Sequence, residues 1–140
     1  MKIQEILQAK AQQKVITITC NASVSQAVAE MVAANVGSVL VTIDGVIEGI
    51  FTERDALRLW RTKEKVQDEA VLKYMTQELV IVTPDDTAEH ALSVMNQKNF
   101  RHLLVVDQHK LLNVLSIKDL VKAYIGNLQS SIQYMDKVLI

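Results

Sequence analysis

The sequence is poor in residues that break a chain or cross-link it. One proline and four glycines in 140 residues exclude disordered, collagen-like and linker-rich classes, whose compositions cannot bury enough surface to offset ordering entropy. Cys20 is the only cysteine, which excludes an intrachain disulfide framework and a Cys-rich zinc site and points to a reducing, cytoplasmic setting. Neither sign of charge dominates. Fifteen basic against sixteen acidic residues leave no net field to hold a nucleic acid, although a local basic pocket is compatible with that balance. No segment approaches the roughly 20 apolar residues of a spanning helix, so no membrane partner is expected. Residues Met1 to Gln13 alternate polar and apolar positions, which reads as neither signal peptide nor anchor. Apolar residues are abundant at 49%, enough for one compact domain or two very small ones.

The chain contains a repeat. A shift of 64 positions sets Ile18 on Val82, Thr19 on Thr83, Ala27 on Ala91, Met31 on Met95 and Asn35 on Asn99. The register then runs without a gap through Val39-Leu40-Val41 on Leu103-Leu104-Val105, Ile47 on Leu111, Thr52 on Ser116, Asp55 on Asp119 and Leu57 on Val121. Recurrence of that kind marks two copies of one supersecondary unit, at 15–61 and 79–125.

In copy one the β-branched run Val15 to Thr19 predicts a strand. Ser23 with Gln26 makes a capping box, and Val24, Ala27, Val28, Met31 and Val32 give the helical apolar face behind it, ended by Gly37. Val39 to Ile43 and Ile47 to Phe51 flank the hairpin signal Asp44-Gly45, and helical spacing resumes over Thr52 to Arg61. Copy two repeats the order with strands at 80–83, 103–107 and 111–115, a helix from Asp86 or Thr87 to about Gln97, a less specific turn at Gln108-His109-Lys110, and a helix from Ile117. The expected fold is α/β (α+β): two β-α-β-β-α units packed with pseudo-twofold symmetry, with crevices between them as natural ligand sites. An N-terminal helix over 1–14, a linker with a short helix over 62–78 carrying Val71, Leu72, Tyr74 and Met75, and a C-terminal helix over 126–140 complete the chain. The terminal helices, with Ile3, Ile6 and Leu7 and with Ile132, Met135 and Leu139, are expected to pack across a dimer.

The chemistry concentrates where a strand runs into a helix. Gly49-Ile50-Phe51-Thr52-Glu53-Arg54-Asp55 and Asn113-Val114-Leu115-Ser116-Ile117-Lys118-Asp119 both carry a hydroxyl followed three residues later by an acid. A helix start offers unpartnered N–H groups and a positive dipole end to an anion. A hydroxyl beside it can donate to phosphate, and a carboxylate one turn on can accept from two vicinal ribose hydroxyls. The same spacing is also that of a capping box, in which hydroxyl and acid only satisfy the helix end. Either segment alone favours the cap; recurrence at the same place in both copies weighs toward binding, and both meanings stand.

With these segments, Val71-Leu72-Lys73-Tyr74-Met75-Thr76 and Phe100-Arg101-His102-Leu103-Leu104-Val105-Val106-Asp107, the chain resembles a tandem pair of CBS domains, the regulatory modules named for cystathionine β-synthase. The resemblance covers about 15 to 125. It implies binding of an adenosine ligand, AMP, ADP, ATP or NAD(H), with no required cofactor. Asp55 and Asp119 would hold ribose hydroxyls, Thr52 and Ser116 would approach phosphate, and Thr17, Ile18, Ile81 and Val82 would line adenine. Arg101 and His102, at the places that Gly37 and Ser38 hold in copy one, would meet phosphates, so the two sites are not equivalent, with Arg54 and Lys118 as secondary contributors beside an ordinary role as solvated helix surface. The family prefers Gly where Asn113 stands and often has Pro where Leu104 stands, so the Asp55 site keeps the fuller motif. Bulk at Asn113 is expected where the backbone approaches a ligand.

Other chemistries lack their residues. His90, His102 and His109 show no i, i+4 pairing and no Cys partners for a metal. No nucleophile elbow, phosphate-binding loop or pair of carboxylates set to titrate apart appears, so an enzyme such as a nucleotide hydrolase has no visible base or metal. The expectation is a cytoplasmic, non-catalytic regulatory module acting on an unidentified protein partner, associating as a homodimer. The alternative is a ligand-independent protein-interaction or dimerisation module.

Overall fold

The computed structural model describes residues 1–10, 15–62 and 65–126. They divide into two compact units that do not follow chain order: a first unit, Gln13–Leu79, and a second unit made of Met1–Gln12 with Val80–Ile140. The first contains β1 (Thr17–Thr19), α2 (Val24–Ala34), β2 (Ser38–Ile43), β3 (Val46–Thr52), α3 (Glu53–Trp60) and a 3-10 turn, Val71–Lys73. The second contains α1 (Ile3–Lys10), β4 (Ile81–Val82), α4 (Ala88–Lys98), β5 (His102–Asp107), β6 (Lys110–Ser116) and α5, helical residues 117–126. The expected C-terminal helix with Ile132, Met135 and Leu139 lies outside the described residues.

Each unit holds a three-stranded sheet, ordered β1-β2-β3 or β4-β5-β6. The first pairing is parallel because a helix intervenes, and the second is an antiparallel hairpin. Both hairpins carry a register shift at the same place, between Val41 and Thr42 and between Val105 and Val106. Both tight turns have two residues at positive φ, as a two-residue hairpin requires: Asp44 (50°) with Gly45 (80°), and Gln108 (50°) with His109 (65°).

Helix α2 starts on the expected box. Gln26 N–H donates to Ser23 Oγ at 3.0 Å and Ser23 N–H to Gln26 Oε1 at 2.8 Å. Its end differs from expectation: Asn35, in the left-handed region at φ 53°, closes the helix rather than Gly37. Asn99 does the same for α4 at φ 57°, since asparagine reaches that region more easily than other non-glycine residues. The apolar stripe of α2 (Val24, Ala27, Met31) packs on one face of its sheet, Val39, Val41 and Phe51, together with Val71 and Met75. In the second unit Ala88, Ala91 and Met95 pack likewise on Leu103, Val105 and Leu115, closed by Leu120 and by Ile3 and Ile6 of α1.

The leaders explain the division of the chain. Ala88 N–H donates to Met1 O (2.8 Å), Ile3 N–H to Asp86 O (2.8 Å) and Gln4 N–H to Pro84 O (3.0 Å). The first unit makes the same three bonds with the linker: Val24 to Glu69 O (2.9 Å), Val71 to Ala22 O (2.8 Å) and Leu72 to Cys20 O (3.3 Å). Each copy of the repeat is therefore completed by the segment that precedes the other copy. Ile3 and Ile6, expected to face a second molecule, are instead 0% and 5% exposed within the second unit, and Leu7 is half-buried against the same core, so these side chains pack within their own chain.

Candidate functional site

In both units the strand-to-helix junction folds as the spacing dictates. Thr52 ends β3 and caps α3: Asp55 N–H donates to Thr52 Oγ1 (3.2 Å), while Asp55 Oδ2 accepts from Thr52 N–H (2.9 Å) and from Thr52 Oγ1 (3.0 Å). At the second junction Asp119 N–H donates to Ser116 Oγ (3.1 Å) and Ser116 N–H to Asp119 Oδ2 (2.8 Å). The first N–H of each helix is met by the loop before the middle strand, Glu53 by Gly37 O at 2.9 Å and Ile117 by Arg101 O at 2.7 Å. Both acids are thus held in caps, and the cap fixes where each carboxylate sits.

Strand register decides which other candidates join them. Ser38 lies directly opposite Thr52, and His102 directly opposite Ser116. Thr17 pairs with Leu40 and Ile81 with Leu104, each two residues along from Ser38 or His102. Because side chains alternate between faces, Thr17, Ser38 and Thr52 share one face of the first sheet, and Ile81, His102 and Ser116 share the matching face of the second. Ile18 and Val82 fall on the helix side: Ile18 packs against the core cluster and Val82 is buried in it. Ile18 offers its carbonyl instead, which accepts from Thr42 Oγ1 at 3.3 Å. Arg101 is exposed, as is Lys118 on α5, while Arg54 on α3 is half-buried.

Two participants were not singled out in the sequence. Arg58 places Nη1 3.7 Å from Asp55 Oδ1, a contact signalled by i, i+3 spacing on one helix. Thr42 adds a hydroxyl to the face that carries Ser38 and Thr52, and its alternation with Ser38 and Leu40 was the available signal.

Gly49 has a different task from the one its place in the motif suggested. Its φ is not positive, and a Cβ there would lie 2.6 Å from Met75 Sδ and 3.0 Å from Thr76 O. The absent side chain makes room for the linker, whose Thr76 exchanges backbone hydrogen bonds with Ile50 at 2.9 and 2.8 Å. Asn113 in the second unit is 8% exposed, and its Oδ1 accepts from Val114 N–H at 2.8 Å.

Chemically, each junction offers an oriented carboxylate, a hydroxyl and a helix start, beside Thr17, Ser38 and Thr42 in the first unit and beside His102 and Ile81 in the second. Among the described residues, no three His, Cys, Asp or Glu side chains are grouped to hold a metal, and no helix is long and apolar enough to cross a membrane.

The sequence model of the CBS domain matches this chain twice, at residues 4–61 and 69–126. The CBS domain-containing protein YhcV of Bacillus subtilis is 30% identical over 114 residues, which are 81% of this chain and 81% of that protein. The crystal structure of a CBS-domain containing protein from Agrobacterium tumefaciens superposes with a TM-score of 0.82 at 30% identity, covering 89% of this chain and 99% of that one. A CBS domain protein from Pyrobaculum aerophilum complexed with AMP has the same fold, with a TM-score of 0.71 at 23% identity, over 85% of this chain and 89% of that one.

Proposed function

This chain belongs to the CBS-domain family and carries the domain in tandem, and on that premise we propose that it is a cytoplasmic, non-catalytic regulatory module that binds an adenine nucleotide, AMP or a related ligand such as ADP, ATP or NAD(H), and works as a homodimer. The observation that carries this reading is the recurrence, in both units, of a capped carboxylate beside a hydroxyl and the first side chain of the middle strand: Asp55, Thr52 and Ser38, and Asp119, Ser116 and His102. The complex of the Pyrobaculum aerophilum relative with AMP supports the ligand class.

Cap and ligand site are compatible at Asp55. A carboxylate has about four lone-pair positions, and the cap occupies Oδ2 alone. Oδ1 stands 3.7 Å from Nη1 of Arg58, whose side chain is 63% exposed, so it is placed to accept ribose hydroxyls once that guanidinium turns outward. Thr52 and the start of α3 supply donors for phosphate, and at the second junction Arg101 and Lys118 carry positive charge and the His102 ring adds a hydrogen-bonding group.

A second reading, a ligand-independent interaction module, is favoured by the same hydrogen bonds, since they already give both acids a structural task. Titration calorimetry of the wild type and of Asp55→Asn and Asp119→Asn with AMP, ADP, ATP, NAD, NADH and S-adenosylmethionine separates the two. Loss of a charge-assisted hydrogen bond weakens binding by about 1.5–3 kcal/mol, which should appear in at least one variant with one ligand. Heat-silent titrations, with no thermal shift for any ligand, would sink the nucleotide reading and leave the interaction module.

A further inference from the structure

The two junctions share a backbone plan but not a charge. At the first, Glu53 opens α3, and a Cβ on Gly37 would lie 3.3 Å from both Cδ and Oε1 of its side chain. The carboxylate therefore lies over bare backbone, beside the place that a side chain at position 37 would fill. The shift of 64 positions sets Arg101 on Gly37 and Ile117 on Glu53. The second junction has an exposed arginine where the first has no side chain, and an apolar residue where the first has an acid. The frame beneath is common to both, since Glu53 N–H donates to Gly37 O at 2.9 Å and Ile117 N–H to Arg101 O at 2.7 Å.

Charge at a helix start decides which ligands it tolerates. The first turn of α3 carries two acids, Glu53 and Asp55, which already answer the positive end of the helix dipole. Arg58 stands 3.7 Å from Asp55 and Arg54 follows Glu53, so acids and bases balance there. At the second junction Asp119 is the one acid of residues 116–122, beside Lys118, Lys122 and Arg101, and the balance is positive. Thr52 and the start of α3 still offer donors, but they work against a like charge that the second junction lacks. Two like unit charges about 6 Å apart repel in water by the equivalent of about threefold in affinity before salt screens them. Each added phosphate charge deepens that penalty.

We propose that Glu53 is a specificity-determining residue: it holds the first junction to a nucleoside ligand of little or no negative charge, and the phosphate-bearing nucleotide is taken at the second. The proposal rests on the nucleotide reading above and narrows it. Titration calorimetry of the full chain with adenosine, AMP and ATP tests it. Asp119→Asn leaves the first junction to be read and Asp55→Asn the second, each with and without Glu53→Gln. In Asp119→Asn, adenosine should bind at least as tightly as AMP, and ATP weakest. Adding Glu53→Gln should raise affinity for AMP at least about threefold and for ATP more, keep adenosine within about twofold, and lose its effect as salt rises. In Asp55→Asn, AMP should outbind adenosine, and Glu53→Gln should shift neither beyond about twofold. Glu53 is exposed, so these variants should keep the wild-type circular dichroism. A second variant, Gly37→Arg with Glu53→Ile, gives the first junction the side chains of the second. The φ of Gly37 is not positive, so arginine suits its backbone, and the exchange should turn the first junction's preference from adenosine to AMP. Equal effects of Glu53→Gln on all three ligands, or a first junction that prefers ATP before any change, overturn the role of Glu53 and leave nucleotide binding standing. A wild type that binds none of the three overturns both readings together.

Discussion

The two units solve one problem in different ways. The middle of each third strand lies at a sheet edge, and a buried edge donor must find an acceptor. In the first unit Ile50 N–H finds Thr76 O of the linker at 2.9 Å, and Gly49 is bare because Met75 and Thr76 press against its backbone. In the second unit the leader runs as helix α1 rather than as an extended segment, and Val114 N–H, the counterpart of Ile50 N–H, is met by Oδ1 of the neighbouring Asn113 at 2.8 Å. Glycine and asparagine at equivalent positions are thus two forms of edge satisfaction. A motif position that reads as ligand contact can have packing as its first cause.

The largest effect that would test this pairing of leaders with units is expected at Ile3, which is fully buried in the second unit's core. Ile3→Ala should cost about 2–5 kcal/mol of stability. Hydrogen exchange should then quicken at Leu103–Val105 before Val39–Val41, whereas Val71→Ala should quicken the first unit before the second. The opposite order in both variants would overturn the crossed arrangement of leaders.

Exchange of the edge residues comes next. Gly49→Asn forces a side chain into Met75 and should cost about 1–3 kcal/mol by overpacking. Asn113→Leu removes one acceptor from Val114 N–H, at 2.8 Å, and should cost about 0.5–1.5 kcal/mol, the net worth of a single hydrogen bond. Chemical denaturation of both variants checks this, and a neutral Gly49→Asn would break the account of the glycine.

The smallest difference lies in the hairpin turns. Gly45 takes φ 80° freely, whereas His109 is held at 65°, a region that costs an ordinary residue about 1–2 kcal/mol. His109→Gly should therefore raise the melting temperature, with a gain of about 1 kcal/mol. An unchanged or lowered value would mean that the imidazole compensates its backbone.

Much of this was legible in the chain. The gapless shift of 64 positions carries the β-α-β-β-α order, both hairpins, the Ser23–Gln26 box and the two hydroxyl-x-x-acid junctions, because each is fixed by neighbours within a few residues. Asn35 and Asn99 recur in that alignment too, yet Gly37 drew attention as a helix stop although the asparagines do the work. The leaders escaped because their equivalence is Met1 with Glu69, read from matching hydrogen bonds, and so lies four residues out of register with the repeat; one is a helix and the other a 3-10 turn.

The sequence by itself determined the local units, since capping, turn and strand preferences are short-range and written in adjacent residues. It also placed both carboxylates at helix starts. Only the tertiary structure decided that each copy borrows the other's leader, that Gly49 yields space to Met75, and that a groove stays open beside Ala56 in the first unit while Leu120, at the equivalent position of the second, is buried in its own unit's core. Those outcomes depend on volumes and hydrogen-bond acceptors contributed by segments far apart in the chain, and no local pattern reports which distant segment will arrive to supply them.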